Sequence, residues 1–418
     1  MSENMETIRQ WNNWNWEKIE KLWKKLKVPK KYESMRCSTE TLANNDYVTL
    51  LSVREDSGKT TQALLLSLCA WWSVNEQLHI LYQRCDESQI RLSVVQTLFD
   101  NIRNFGYIER LTDGKYNNVI YKPMEHCFYM ANTYTDEKGR VLHELSNDYF
   151  MRVICLENYL DYKSSISDPI SLWCVFDEIM DSGRQTQRQM VEMCNNVSTF
   201  GRPNTNIDDE GKPLYKMLLL GNNTNKYSFW WSEFCVENDI SNLKYGSYIR
   251  KVTNQGTSMY IQLLATSKEF KDRVNKKKIH FFGFDTPKMS AFNGLQEWQE
   301  EVYPHILYDD MINESECVCD NLFLLHRNKY VQLRVFSHEK YGNYIFANYF
   351  NYPKREDAIV ITINPQEINE IYGFGEFTPF ELKTIKKLIL GRKIYFSSNS
   401  VGSLFDDYIK EFKKNKLF

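Results

Sequence analysis

Gly58-Lys59-Thr60, with Ser57 before it and Thr61 after it, stands between an apolar run, Tyr47-Val48-Thr49-Leu50-Leu51, and a long apolar-rich segment from Ala63 to Trp72. That order reads strand, loop, helix. At such a junction the backbone N–H groups of the first helical turn face an anion. The lysine reaches the β- and γ-phosphates of a nucleotide, and the hydroxyl after it can ligate Mg²⁺. Ser57, Gly58, Lys59, Thr60 and Thr61 are therefore candidate ATP-binding residues, with Arg54 a further candidate inside the loop and Thr60 a metal ligand. The usual first glycine of G-x-x-x-x-G-K-[ST] falls on Val53, so Gly58 alone supplies glycine freedom. The bland alternative is an ordinary turn in which Ser57 caps a helix.

The second stretch is Ser171-Leu172-Trp173-Cys174-Val175-Phe176-Asp177-Glu178, an apolar run that ends in two carboxylates. A buried parallel strand reads as such a continuous apolar run. Active groups in open α/β sheets sit at the carboxyl ends of their strands. Asp177 is then the Mg²⁺ partner of Thr60, and Glu178 the residue that orients and polarises the attacking water. Two carboxylates after a strand can also simply serve the positive end of a following helix. Downstream of Gly58-Lys59-Thr60, the pair instead reads as a site that hydrolyses ATP with water.

The elements that must position these groups are legible in outline. The chain has 418 residues, enough for two or three domains, with 42% hydrophobic and 25% charged residues, so it is globular. A net charge of −2 excludes a uniformly basic nucleic-acid coat but allows local basic patches. Ten scattered cysteines carry no zinc spacing, and reduced thiols imply a cytoplasmic compartment. No signal segment is recognisable, and no apolar run approaches transmembrane length, so no membrane partner is expected.

Residues 7–31 predict an amphipathic helix with Trp11, Trp14, Ile19, Leu22, Trp23 and Leu26 on its apolar side. It either packs on the sheet or docks a partner. Strands are predicted at 78–84, 151–156 and 216–223, a helix at 86–103, hairpin strands within 106–150, and a helix from 187 to about 196. The alternation is that of a mostly parallel α/β sheet. Residues 241–315 show no clear period and read as a linker or lid. From 316 the pattern changes to a three-strand meander, a further strand at 359–363, a helix at 380–390, a strand at 394–396 and a final helix at 401–414. That order is RNase H-like. The predicted domains are thus 1–240, 241–315 and 316–418.

This ordered set resembles the large terminase subunit of tailed phages, and most of all the packaging ATPases of small protein-primed podophages of the phi-29 type. The resemblance implies an ASCE-type P-loop ATPase domain, a linker and an RNase H-like domain. It implies a ring, typically a pentamer, that acts in the host cytoplasm on the portal of a procapsid and drives double-stranded DNA into it. A structural RNA is left open as a further partner. By the same resemblance, Asn222 and Asn223 sit where the family's coupling motif senses the γ-phosphate, and polar strand-end capping is the alternative. Arg202 sits where the family places an arginine finger, with a surface salt bridge as the alternative. Lys163 is a second candidate for a cation acting on the neighbouring subunit. The spacing of Arg54 to Gly58 departs from that of the family's P-loop arginine.

An RNase H-type nuclease needs several carboxylates converging on two metals. Leu322-Phe323-Leu324-Leu325 and Tyr330-Val331-Gln332-Leu333-Arg334 offer none, Asp320 precedes the first strand, and Asp406-Asp407 lie in the final helix. The tail therefore reads as a vestigial nuclease, with Lys410, Lys413, Lys414 and Lys416 available to DNA or a portal. The rivals are a nuclease-competent terminase and a cellular P-loop helicase or recombination ATPase.

Overall fold

The apolar runs of the first half assemble side by side. A computed structural model describes residues 13–29, 37–52, 58–156, 168, 170–179, 191–196, 214–223, 230–231, 234–240, 242–254, 256–265, 272, 303, 309–326, 329–351, 357–362 and 379–414. The chain divides into two compact units, the first reaching Gln299 and the second built chiefly from Glu300–Phe418.

The first unit holds a ten-stranded sheet. Its strands are β1 (Tyr47–Ser52), β2 (Ile80–Arg84), β3 (Asn118–Lys122), β4 (Cys127–Thr135), β5 (Val141–Leu145), β6 (Met151–Cys155), β7 (Trp173–Asp177), β8 (Lys216–Asn222), β9 (Tyr248–Val252) and β10 (Ser258–Leu263). The order is β3-β4-β6-β2-β7-β8-β1-β10-β9, with β5 paired to β4. From β6 to β10 every neighbouring pair is parallel. Antiparallel strands extend both edges. All residues of β7 and β8 are buried, which is why they read as unbroken apolar runs. The crossovers put the carboxyl ends of β1, β2, β7 and β8 at one edge, so Ser52, Arg84, Asp177 and Asn222 emerge together.

Two helices cover one face of this centre. Helix α1 (Trp16–Leu26) buries Ile19, Trp23 and Leu26 in the same core as helix α2 (Lys59–Ser73). Trp14 packs edge-on against Trp173 of β7 with ring centroids 5.4 Å apart, and its indole N–H donates to the Leu214 carbonyl at 2.8 Å. Lys18 donates to the Ser73 carbonyl at the end of α2, at 2.6 Å. The amino-terminal helix is therefore part of the core. Trp11 lies outside the described residues.

Two sequence expectations change. The helix expected over 86–103 is broken into a 3₁₀ turn, Glu87–Ile90, and short helices Leu92–Val95 and Asp100–Asn104, and a further helix, Tyr107–Leu111, opens the stretch expected to hold only hairpin strands. Arg91 is extended, with ψ 149°, and interrupts the first two pieces. The buried positions become Ile90, Val95, Phe99 and Ile102, a spacing no single helix presents to one face. Residues 248–263, expected in the linker, form β9 and β10, and β10 pairs directly with β1. The signal was hidden because β9 is an edge strand. Its exposed and half-buried residues alternate, and Arg250 and Lys251 interrupt its apolar pattern.

At the opposite end of β2 from the site, His79 is buried between two carboxylates. Its Nδ1 lies 2.7 Å from Asp168 and its Nε2 3.1 Å from Asp148. Ser171 also donates to Asp168, and Tyr149 stacks on the imidazole. Both ring nitrogens face acceptors, so both carry protons. Burial opposes that charge, but the bonds to Asp148 and Asp168 outweigh it and raise the His79 pKa to about 9. The His79 bond holds Asp148 below its ordinary range; burial opposes the Asp168 charge, but His79, Tyr149 and Ser171 together outweigh it and hold that carboxylate low as well. A raised histidine pKa stabilises the fold fully below the unfolded value of about 6.5, and this is lost as pH climbs through about 9. The clamp is worth on the order of 2–4 kcal/mol at pH 6. Urea unfolding at pH 6 and pH 9.5 should show this loss in the parent chain and not in His79→Gln. Equal pH slopes in the two would refute the clamp.

In the second unit, β11 (Glu316–His326), β12 (Lys329–His338) and β13 (Gly342–Phe350) form an antiparallel meander. Strand β14 (Ile359–Thr362) joins β11 in parallel, and β15 (Ile394–Phe396) joins β13 in parallel, giving the order β14-β11-β12-β13-β15. Helices α3 (Pro379–Leu390) and α4 (Asn399–Lys414) contribute Ile385, Leu388, Val401, Leu404, Phe405 and Tyr408 to the core on one sheet face. Asp320, expected ahead of the first strand, lies within β11, because pairing begins as early as Glu316 through bulges near Cys319. Tyr303 rests on Gly402, where a Cβ would come within 2.2 Å of its ring, and donates to Asp406 at 3.2 Å.

Candidate active site

Gly58 opens the site. Its φ of +75° is a left-handed conformation open to glycine at no steric cost, and it turns the chain into α2. The Gly58 carbonyl accepts the first helical bond, from Gln62 N–H at 2.9 Å. Lys59, Thr60 and Thr61 then form the first turn of α2, whose N–H groups have no partner within the helix.

Lys59 is buried, and its ammonium donates to Asn222 Oδ1 at 2.7 Å, joining the start of α2 to the end of β8. Burial pulls its pKa below the ordinary lysine value, against the opposing charges of Asp177 and Glu178. Thr60 Oγ1 lies 3.2 and 3.1 Å from the two carboxylate oxygens of Asp177. Asp177 is fully buried and accepts three more bonds: from the Tyr82 hydroxyl at 2.7 Å, from Arg84 Nη2 at 2.9 Å and from the Glu178 N–H at 3.1 Å. Arg84 Nε also donates to the Tyr82 oxygen at 2.9 Å. Burial opposes the Arg84 charge, but Tyr82, Asp177 and Glu178 more than offset it, and its pKa stands above the ordinary arginine value. Burial, then the Asp177 charge, raises the Tyr82 pKa well above that of a free phenol, so its hydroxyl stays a donor.

Glu178 follows with φ +60°, a left-handed backbone that costs a non-glycine residue roughly 1–2 kcal/mol. Its Oε2 lies 3.4 Å from Gln89 Nε2. Such strain persists only where the surroundings over-determine it, and it concentrates at functional positions.

The structure thus brings Lys59 onto Asn222 and Thr60 onto Asp177, two hydrogen-bonded pairs that both start from the first turn of α2, with Glu178 next to Asp177. Asn223 is buried one residue beyond the end of β8, its N–H bonded to the Ser52 carbonyl at 3.0 Å. Arg54, Ser57, Lys163 and Arg202 lie outside the described residues. Sequence reasoning missed Tyr82, Arg84 and Gln89. The available signal was a cation closing the predicted strand 78–84, since the carboxyl end of a parallel strand is where active groups gather. The donor set of Thr60 and Asp177 consists only of hard oxygens, which suits Mg²⁺.

No family model matches the sequence, and no curated protein matches it. In fold, the chain is of the kind found in phage genome-packaging motors. The Phi-28 gp11 DNA packaging motor aligns over 88% of this chain and 95% of its own, with a TM-score of 0.51 and 13% identity. The bacteriophage phi-29 viral genome packaging motor assembly aligns over 91% of this chain and 99% of its own chain, also with a TM-score of 0.51 and 13% identity. At that identity the likeness is one of fold. Among the described residues, no helix is long and apolar enough to cross a membrane.

Proposed function

We propose that this chain is the ATPase of a viral DNA-packaging motor, which hydrolyses ATP to translocate double-stranded DNA into a procapsid. The observation that carries this reading is the bonding of Lys59 to Asn222 and of Thr60 to Asp177 across the carboxyl ends of one parallel sheet. Strand β8 lies between the strand leading to Gly58-Lys59-Thr60 and the strand ending in Asp177-Glu178, which supports an ASCE-type P-loop ATPase.

In this reading the α2 amino terminus, with Ser57, Gly58 and Thr61, cradles the phosphates, and Lys59 reaches the β- and γ-phosphates. Thr60 and Asp177 hold Mg²⁺, which neutralises charge on the phosphate oxygens. Glu178 polarises the attacking water. Asn222, already on Lys59, exchanges that contact for the γ-phosphate and so senses it, with Asn223 behind it. Arg54 serves within the loop. Arg202 and Lys163 serve as cations supplied to a neighbouring subunit of a ring, a pentamer in this reading, and stabilise transition-state charge. Should Arg202→Ala subunits mixed with parent subunits leave turnover undiminished, the finger assignment is lost.

The second unit is read as an RNase H-like domain without nuclease activity, binding DNA or the portal and joined by a linker that begins after β10. The carboxyl-terminal half of β11, Leu322–Leu325, is buried and apolar and supports this, which leaves Asp320 as the one carboxylate near the middle of that strand. The motor acts in the host cytoplasm, transiently on the procapsid, with a structural RNA as a possible bridge to the portal. Purified protein is expected to restore ATP-dependent DNA uptake into empty proheads, with no cleavage of supercoiled DNA in Mn²⁺. Uptake that needs no ATP, or strand separation on forked DNA without any capsid, would overturn the reading.

A further inference from the structure

We propose that Gly221 is a positioning residue for Glu178, acting through Ile179. The proposal rests on the reading of Glu178 as the residue that polarises water.

Gly221 lies on β8, opposite Leu51 of β1 and one residue beyond Leu220, the partner of Asp177. Its backbone is not in the left-handed region, so what it supplies is space. A Cβ at this position would stand 3.0 Å from Leu51 Cδ2 and 3.1 Å from Ile179 Cγ1. Leu51 and Ile179 are both fully buried, so neither has free volume into which to retreat.

Ile179 is held to β8 in two ways. Its N–H donates to the Leu220 carbonyl at 3.0 Å, and its side chain occupies the slot that Gly221 leaves open. On the other side of Glu178, Asp177 is locked in the β7–β8 ladder, and its carboxylate accepts the Glu178 N–H at 3.1 Å. Glu178 is therefore a strained residue suspended between two fixed neighbours, and Gly221 fixes the second of them. A methyl group at 221 lifts Ile179 off the strand, and the left-handed turn at Glu178 moves with it. The side chain of Lys59 contacts Asn222 on the opposite face of β8, so nucleotide contacts are spared.

The test is a cycle on the full-length chain, read by steady-state ATP turnover and by equilibrium binding of a fluorescent ATP analogue. Gly221→Ala should lower kcat by roughly 10- to 100-fold, the scale of a displaced catalytic group. Nucleotide affinity should stay within about threefold, since only an interaction of the transition state is lost. On an Ile179→Ala background there is no Cγ1 to meet, so adding Gly221→Ala should leave kcat at the Ile179→Ala value. On a Leu51→Val background the loss should persist. Multiplicative losses in the Ile179 cycle, rescue by Leu51→Val alone, or a loss confined to nucleotide affinity would each overturn the proposal. Should Gly221→Ala fail to fold, the Gly221→Ala/Ile179→Ala pair must fold and turn over ATP at the Ile179→Ala rate, and failure there overturns it too. Glu178→Gln separates the two levels. If that variant retains parent turnover, the catalytic reading of Glu178 falls; if it is inactive while Gly221→Ala is normal, only the positioning role falls.

Discussion

Glu178→Gln is expected to lower ATP turnover by about 10²–10⁴-fold while leaving ATP bound with near-parent affinity. The substitution keeps the volume and shape of the side chain and removes only its capacity to accept a proton. Among the groups proposed to bind ATP, Lys59 bonds to Asn222 and Thr60 to Asp177, and neither bond uses the Glu178 carboxylate. The glutamine can still meet Gln89, 3.4 Å from the present carboxylate, so the local fold should stand. Single-turnover kinetics with bound ATP isolates the chemical step. Parent-like turnover, or a loss of binding that matches the loss of rate, would remove Glu178 from the chemistry.

Asp177→Ala should act on stability as well as on turnover. The Asp177 carboxylate is wholly buried and accepts from Thr60, Tyr82 and Arg84. The Arg84 side chain is only 13% exposed, so water cannot replace the lost carboxylate. Removing one partner of a buried ion pair costs about 3–5 kcal/mol, most of it the penalty of the stranded charge. That penalty has a signature. Arg84→Met on the Asp177→Ala background should recover a large part of the lost stability, because no buried charge is then left without a partner. Urea denaturation of the four chains of this cycle, without nucleotide, reads the coupling directly. Additive losses would mean that Arg84 and Asp177 do not depend on each other. Neither Asp177→Ala chain should hydrolyse ATP, since the oxygen set shared with Thr60 is gone.

The same ion pair shows where sequence reading stops. Trp173–Asp177, Lys216–Asn222 and Tyr47–Ser52 announced themselves as buried parallel strands because both of their faces are covered, leaving no polar position to break the run. Gly58-Lys59-Thr60 and Asp177-Glu178 were legible because phosphate chemistry restricts residue type and spacing within a few positions. Arg84 was legible only as the last residue of a strand. Its partner depends on β2 lying beside β7, and strand order is set by long-range packing. The edge strand β9, and with it the hairpin it forms with β10, escaped notice for a related reason. A strand with one free side tolerates charge, so Arg250 and Lys251 masked a pattern in β9 that its pairing with β10, itself beside β1, makes plain. The helix expected over 86–103 failed because local periodicity could not anticipate the extended residue Arg91.

From the chain alone came the candidates proposed to handle ATP and the strand or helix on which Lys59, Thr60, Asp177 and Asn222 ride, because local patterning and the stereochemistry of phosphate binding act within short windows. The tertiary structure decided which of those groups meet, and in what company. It joined Lys59 to Asn222 across 163 residues of sequence, set Arg84 and Tyr82 on Asp177, and wedged Ile179 against Gly221 behind Glu178. Contacts of that kind follow from the order in which distant strands pair, and no window of sequence contains both partners.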